Sequence, residues 1–322
     1  MPLTNDPDID RMRRELRRLE AEITEVFDST REDVLAMLDA SEIALSGLIA
    51  SGGWEAVVTA GATVFGQRIA STVAQGYSGV TRREVEVLEA KIRVITDFNI
   101  VNERAVQYLQ TSRLNLIAEF TDQQRLATRE VLVDGATRGV NPREQARAFR
   151  ESIGLTGQQQ RAVNNYRQLL FNVAAGDREA LTRELRDGRF DGTIRGALRR
   201  KEPLRLSQIE RMTDRYRQRT LKLRAETIAR TEALRAIHAA QYEVFQQALE
   251  NGVVRPQELE KEWVTSLDGR ERASHAQANG QRVSQDRPFI VGGAELRYPG
   301  DPLAPGREVI NCRCVAPIRV RR

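Results

Sequence analysis

Apolar residues near the start of the chain recur at steps of three and four. Ile9, Met12, Leu16, Leu19, Ile23 and Val26 form one seam, and Arg13, Arg14, Arg17, Arg18, Glu20 and Glu22 cover the other faces. This spacing predicts a helix over 8–40. The seam blurs beyond Thr30, which favours a bundle or oligomer contact over a coiled coil. Residues 41–80 carry only Glu42, Glu55 and Arg68 as charges and are punctuated by Gly47, Gly52, Gly53, Gly61, Gly66, Gly76 and Gly79. Closely packed short helices are the expectation there, with a surface meeting a partner or a membrane as the alternative. The uncharged run between Glu55 and Arg68 is too short to span a bilayer.

Helical spacing resumes at Val85, Leu88, Ile92 and Ile95 and runs toward Leu116, and a further helix is expected over 122–138, with Gly135 and Gly139 as stops. Asn141-Pro142-Arg143-Glu144 has the form of a helix start. Thr156 with Gln159 and Ser207 with Glu210 read as capping boxes. Residues 177–206, broken by Gly188, Gly192, Gly196 and Pro203, read as a loop-rich connector, and 207–250 as one or two long helices. The helical pattern stops at Asn251-Gly252. Beyond Glu262, extended pieces (Glu262–Ser266, Arg287–Val291, Val315–Val320) alternate with Gly/Pro turns, with a little helix at about 270–278. The expected fold is mainly α: an elongated helical N-terminal and central region with a small C-terminal α+β module. The expected divisions are 1–120, 121–206 and 207–322.

Aromatic residues make up only 5% of the chain, so the core must come from Leu, Val, Ile and Ala, which suits helices. The net charge is +5. All basic residues except Lys91, Lys201, Lys222 and Lys261 are arginine, which reflects either a GC-rich coding genome or the bidentate grip of arginine on phosphate and carboxylate. The stretch 199–235 holds twelve basic residues against five acids, more net charge than the whole chain. It is either a solvated face laced with i,i+4 pairs or a contact with double-stranded DNA or an acidic partner, for which Arg215, Arg219, Lys222 and Arg224 are the candidates. The N-terminus lacks the pattern of a signal peptide. No apolar run reaches 18 residues, so no membrane insertion is expected. No phosphate-binding glycine loop occurs, so ATP-driven work is not expected.

The unusual chemistry lies near the C-terminus. Cys312 and Cys314 are the only cysteines and stand too close together for an easy disulfide, so a reducing compartment is expected. With His275 they make three ligands for zinc, and Asp268 or water would supply the fourth. Two buried thiols beside a hydrogen-bonded histidine is the plain alternative. A Cys nucleophile with His275 as base is a weaker one, because nothing identifies a group to orient the base. Asp268, Arg270 and Arg272 could instead form a polar network with Asp301 that rigidifies the module without metal. His238, within a helical stretch, reads as structural.

Two stretches carry a family resemblance. The first is Arg224-Ala225-Glu226-Thr227-Ile228-Ala229-Arg230-Thr231-Glu232. The second begins at Trp263 and runs through Asp268, Arg270, Arg272 and His275 to Gly280, Tyr298-Pro299-Gly300-Asp301-Pro302 and Asn311-Cys312-Arg313-Cys314. In order and spacing they resemble the phage Mu F-like head-morphogenesis proteins, clearly over about 220–322 and loosely over 120–220. The chain departs from that pattern at Gly269-Arg270-Glu271-Arg272, where relatives often have Thr before the second Arg. The resemblance implies a minor capsid component of the virion, assembled in the host cytoplasm and placed inside the head near the portal. Portal and major capsid or scaffold proteins would be its partners, and procapsid assembly and DNA packaging or delivery its role. It supplies no enzymatic activity. A toxin- or transferase-like enzyme, or a cytoplasmic non-specific DNA-binding protein, are the competing readings, and no enzyme domain is expected beyond the module.

Overall fold

The computed structural model describes residues 6–39, 47, 51, 53–93, 96, 98, 99 and 102–321. The expected position of Ile95 and most of 40–52 lie outside the described residues. The order is α1 (Pro7–Asp39), α2 (Trp54–Ile92), α3 (Glu103–Arg138), α4 (Pro142–Ser152), α5 (Gly157–Phe171), α6 (Asp191–Arg200), α7 (Leu206–Glu250), β1 (Leu259–Glu262), α8 (Ala273–Ala278), β2 (Arg282–Ser284), β3 (Phe289–Val291), β4 (Ala294–Leu296), α9 (Gly306–Val309) and β5 (Ile318–Val320). This is a mainly α chain with a small C-terminal α+β part. Among the described residues no helix is long and apolar enough to cross a membrane.

Several elements differ from the reading of local pattern. The glycine-rich stretch from Trp54 forms one 39-residue helix, not short ones. A Cβ at Gly66 would lie 2.5 Å from the Ile117 Cα, so this glycine permits a backbone approach that no larger residue allows. Helix α3 runs through Gly135 and ends at Gly139, whose φ is +65°. Asn141 caps α4, its side chain accepting from Glu144 N at 3.0 Å, and Thr156 with Gln159 forms the expected reciprocal box on α5. The box expected at Ser207 and Glu210 does not form. The helix starts one residue earlier, and Gln208 Oε1 accepts from Arg205 N at 2.9 Å. The expected connector at 177–206 is short 3₁₀ turns followed by α6, and Ala180, Ile194 and Ala197 are buried in a core. Its glycines did not break α6, because the apolar positions between them face inward.

The chain gathers into two compact units, and neither is a continuous stretch. One comprises Met1–Phe27, Arg68–Leu114 and Glu226–Arg322, and the other Asp28–Gln67 and Asn115–Ala225. The second unit is built on Leu155, Val163, Leu170, Ile194, Ile209 and Met212, with Tyr166 stacked on Tyr216 at 4.4 Å. The first unit holds the C-terminal module. Its antiparallel sheet has the order β2-β1-β5, with Lys261 opposite Val283 on one side and Ile318 on the other. A separate β3–β4 hairpin pairs Phe289 with Leu296. Leu259 and Ile318 from the sheet pack with Leu88, Val244, Phe245 and Ala248. These strands are three or four residues long, so helix packing and side-chain bonds must supply much of the module's rigidity.

Candidate functional site

The module's unusual residues converge just past the sheet. A single antiparallel bridge joins Val264 to Val315, with N–H to carbonyl distances of 2.8 and 2.9 Å. It sets the chain around Trp263 and Thr265 beside Cys314. The helix α8 delivers His275, whose carbonyl accepts from the Thr265 hydroxyl at 2.8 Å. Trp263, fully buried, meets His275 and Phe289 edge-on at 5.5 and 5.3 Å.

The Asn311-Cys312-Arg313-Cys314 segment is held from α7. Thr231 accepts from Asn311 N at 3.0 Å, and Arg230 donates to the Asn311 side chain. Asn311 sits at φ +60°, a left-handed conformation that asparagine tolerates better than most residues. The two motif stretches of the sequence are therefore two sides of one contact. From the same helix His238 takes part: Nδ1 lies 2.9 Å from the Leu234 carbonyl and Nε2 accepts from Ala316 N at 3.1 Å. Burial pushes its pKa down to about 4. His238 is structural, as its helical context indicates.

His275, Cys312 and Cys314 are brought together. All three are buried, and their candidate ligand atoms lie within 4.8 Å of one another. His275 Nδ1 is 3.3 Å from Cys314 Sγ and 3.5 Å from Cys312 Sγ. Cys314 N also points at Cys312 Sγ, at 3.4 Å. The hydrogen bond with Cys314, aided by His275 and opposed by burial, draws the Cys312 thiol down to about 5. The same bond and burial hold the Cys314 thiol far above its usual range. Two sulfurs beside an imidazole nitrogen make a donor set that suits a thiophilic cation.

Asp268 does not join this cluster. It is exposed, and its carboxylate accepts from Arg270 N at 3.2 Å and from the Ser266 hydroxyl at 3.5 Å. The acid beside His275 is Glu308, which is buried and has Oε2 3.2 Å from His275 Nε2. Nε2 itself makes no aligned hydrogen bond. Ser274 donates to the same Glu308 oxygen at 2.9 Å. A Cβ at Gly292 would come within 2.6 Å of Glu308 Oε1, so the glycine leaves room for the carboxylate. The one legible signal was an acid four residues before Cys312, followed by the apolar pair Val309-Ile310.

The network expected among Asp268, Arg270, Arg272 and Asp301 also does not form. Asp301 is buried and held by Arg297, at 2.8 Å from Nε and 2.7 Å from Nη2. Despite burial, this fork holds the Asp301 carboxyl below the ordinary range. Arg272 instead donates to the Ile310 carbonyl, and Arg270 is exposed.

Of the candidate phosphate contacts, Arg224 is a correction. It is buried, donates to the Gly154 carbonyl at 2.7 Å and lies 5.1 Å over the Phe120 ring. Arg215, Arg219 and Lys222 are exposed, but Arg219 is 3.6 Å from Asp187. Arg199, Lys201, Arg205 and Arg211 are exposed as well, and with Arg215 they make no ion pair among the described residues.

Residues 203–317 match the family described as Phage Mu protein F like protein. This C-terminal part is phage Mu F-like. The Mu F-like segment includes the motif helix α7, the sheet and the Cys/His cluster. The chain is also similar to an NAD(+)--arginine ADP-ribosyltransferase, EFV, of Enterococcus faecalis (strain ATCC 700802 / V583), at 30% identity over 87 residues. That likeness covers 27% of this chain and 17% of the relative. No solved structure matches significantly.

Proposed function

We propose that this protein is a phage head-morphogenesis protein, a minor component of the virion that lies inside the head and binds the portal. The observation that carries the reading is the Mu F-like match over residues 203–317. Its motif residues Arg230, Thr231 and Asn311 hold one another, so they define a module and are not scattered coincidences. Major capsid or scaffold proteins are the further partners. The likeness to the ADP-ribosyltransferase spans too little of that enzyme to bring its activity here, and the role is structural.

Within this role the exposed cations Arg199, Lys201, Arg205, Arg211 and Arg215 touch packaged DNA through its phosphates, without sequence preference. Mass spectrometry of purified virions tests the reading. Peptides of this chain are expected at low copy, and they should cross-link to the portal. Virions that lack the chain would overturn the proposal. For DNA, charge reversal at Arg205, Arg211 and Arg215 should reduce the slope of log K against log salt by about 0.9 for each phosphate no longer neutralised. An unchanged slope would return these residues to a solvated face.

A further inference from the structure

We infer that His275, Cys312 and Cys314 bind one zinc ion, and that buried Glu308 is the positioning residue that orients His275 toward it. This inference stands on the cluster alone and does not depend on the role in the head.

The spacing of the donors fits an ion of this size. Zinc takes thiolate sulfur at about 2.3 Å and imidazole nitrogen at about 2.0–2.1 Å in a tetrahedron, which puts nitrogen and sulfur about 3.5 Å apart along an edge. His275 Nδ1 lies 3.3 and 3.5 Å from the two sulfurs. Both nitrogen-to-sulfur spacings therefore match tetrahedral edges, and all three donor atoms lie within 4.8 Å of one another. Cys-x-Cys can do this because Asn311, in the left-handed region and tied down by Thr231, bends the chain just before the first thiol.

Glu308 cannot be a fourth ligand to the same ion. It faces Nε2, and the two ring nitrogens point in diverging directions. Its place is that of the carboxylate behind a metal-bound histidine. Its carboxylate is placed to accept a hydrogen bond from Nε2–H, which keeps the proton on Nε2 and leaves the Nδ1 lone pair free for the ion. Nε2 is a buried ring nitrogen with no aligned partner, and the nearest carboxylate oxygen, already anchored by the Ser274 hydroxyl, is 3.2 Å away. Asp268, exposed and turned to Arg270 N, fills neither position. The fourth corner falls to a solvent oxygen. One ion linking α8 to the Cys-x-Cys segment would staple a module whose strands are too short to hold it alone.

The test uses the full chain. Protein purified with zinc supplied should carry about one ion per chain. Cobalt(II) titrated into chelator-stripped protein should give an intense sulfur-to-metal charge-transfer band. Cys312→Ser should weaken that band and lower zinc affinity. Glu308→Gln should keep the stoichiometry and the thiolate band but lose about 10–100-fold in affinity in a chelator competition. Wild-type protein that takes up no zinc and shows no thiolate band would overturn the site, and this arm needs no variant to fold. A Glu308→Gln protein that binds zinc as tightly as wild type would overturn the role of Glu308 and leave the site standing.

Discussion

Acid should weaken the C-terminal module through one buried side chain, His238. Its neutral ring fills a fixed place: Nδ1–H faces the Leu234 carbonyl, Nε2 accepts from Ala316 N, and Tyr298 lies parallel at 6.4 Å. A proton added at Nε2 would leave two N–H groups facing each other in a buried site. Burial accordingly lowers the pKa from 6.5 to about 4. The folded-state pKa lies below the unfolded one, so the unfolded chain binds more protons between those values. The associated stability is fully present above pH 6.5 and is lost as pH falls toward 4. A drop of that size is worth about 3 kcal/mol. Urea unfolding followed by Trp263 fluorescence in a Trp54→Phe background, repeated from about pH 7 to 4, measures it. His238→Leu provides the comparison. That variant should be weaker at neutral pH by about 1–3 kcal/mol, because Ala316 N is left without its acceptor, yet it should lose less further stability on acidification than wild type. Equal acid losses in the two proteins would refute the argument.

Lys261 should show a dependence of the same sign in a more alkaline window. Its ammonium is buried, bonded to the Gln285 and Arg297 carbonyls, and pushed down to about 8 by burial. Stability should therefore rise by about 3 kcal/mol from pH 8 to 10.5, and Lys261→Met should flatten that rise; a variant with the wild-type slope would contradict it. Arg224→Ala should destabilise the second unit by about 2–4 kcal/mol, by removing packing on Phe120 and stranding the Gly154 carbonyl. It should leave the salt dependence of DNA binding untouched, and a reduced slope would show that Arg224 reaches phosphate after all. Gly66→Ala should cost about 1–3 kcal/mol in thermal or chemical melts despite the better helix propensity of alanine, because its Cβ would strike the Ile117 backbone; a stabilised variant would mean that the two helices can separate freely.

Local chemistry was legible at several places where it is decided locally, though not at the box expected at Ser207 and Glu210. The first helix, the caps at Asn141 and Thr156 and the stop at Gly139 follow from spacing and from side chains that satisfy nearby backbone groups. The clustering of Cys312, Cys314 and His275 was legible for a related reason: two thiols and a histidine are scarce in this composition. What distant segments face was not legible. Asp268 looked like the acid for His275 because it lies seven residues away in sequence, but the loop turns it to solvent while α9 brings in Glu308. Arg224 counted as one more charge in a basic run, yet its position on α7 aims it at Gly154 and Phe120. Asp301 took Arg297 for a partner because four residues of turn suffice to close a fork that Arg270 and Arg272 do not form. The mainly helical class, the place of the module and three residues of the Cys/His cluster could be read from the chain alone, since periodicity and residue type act over a few residues. Which charges are buried, and with whom they pair, was settled by folding, because burial is set by packing between segments that local pattern does not relate.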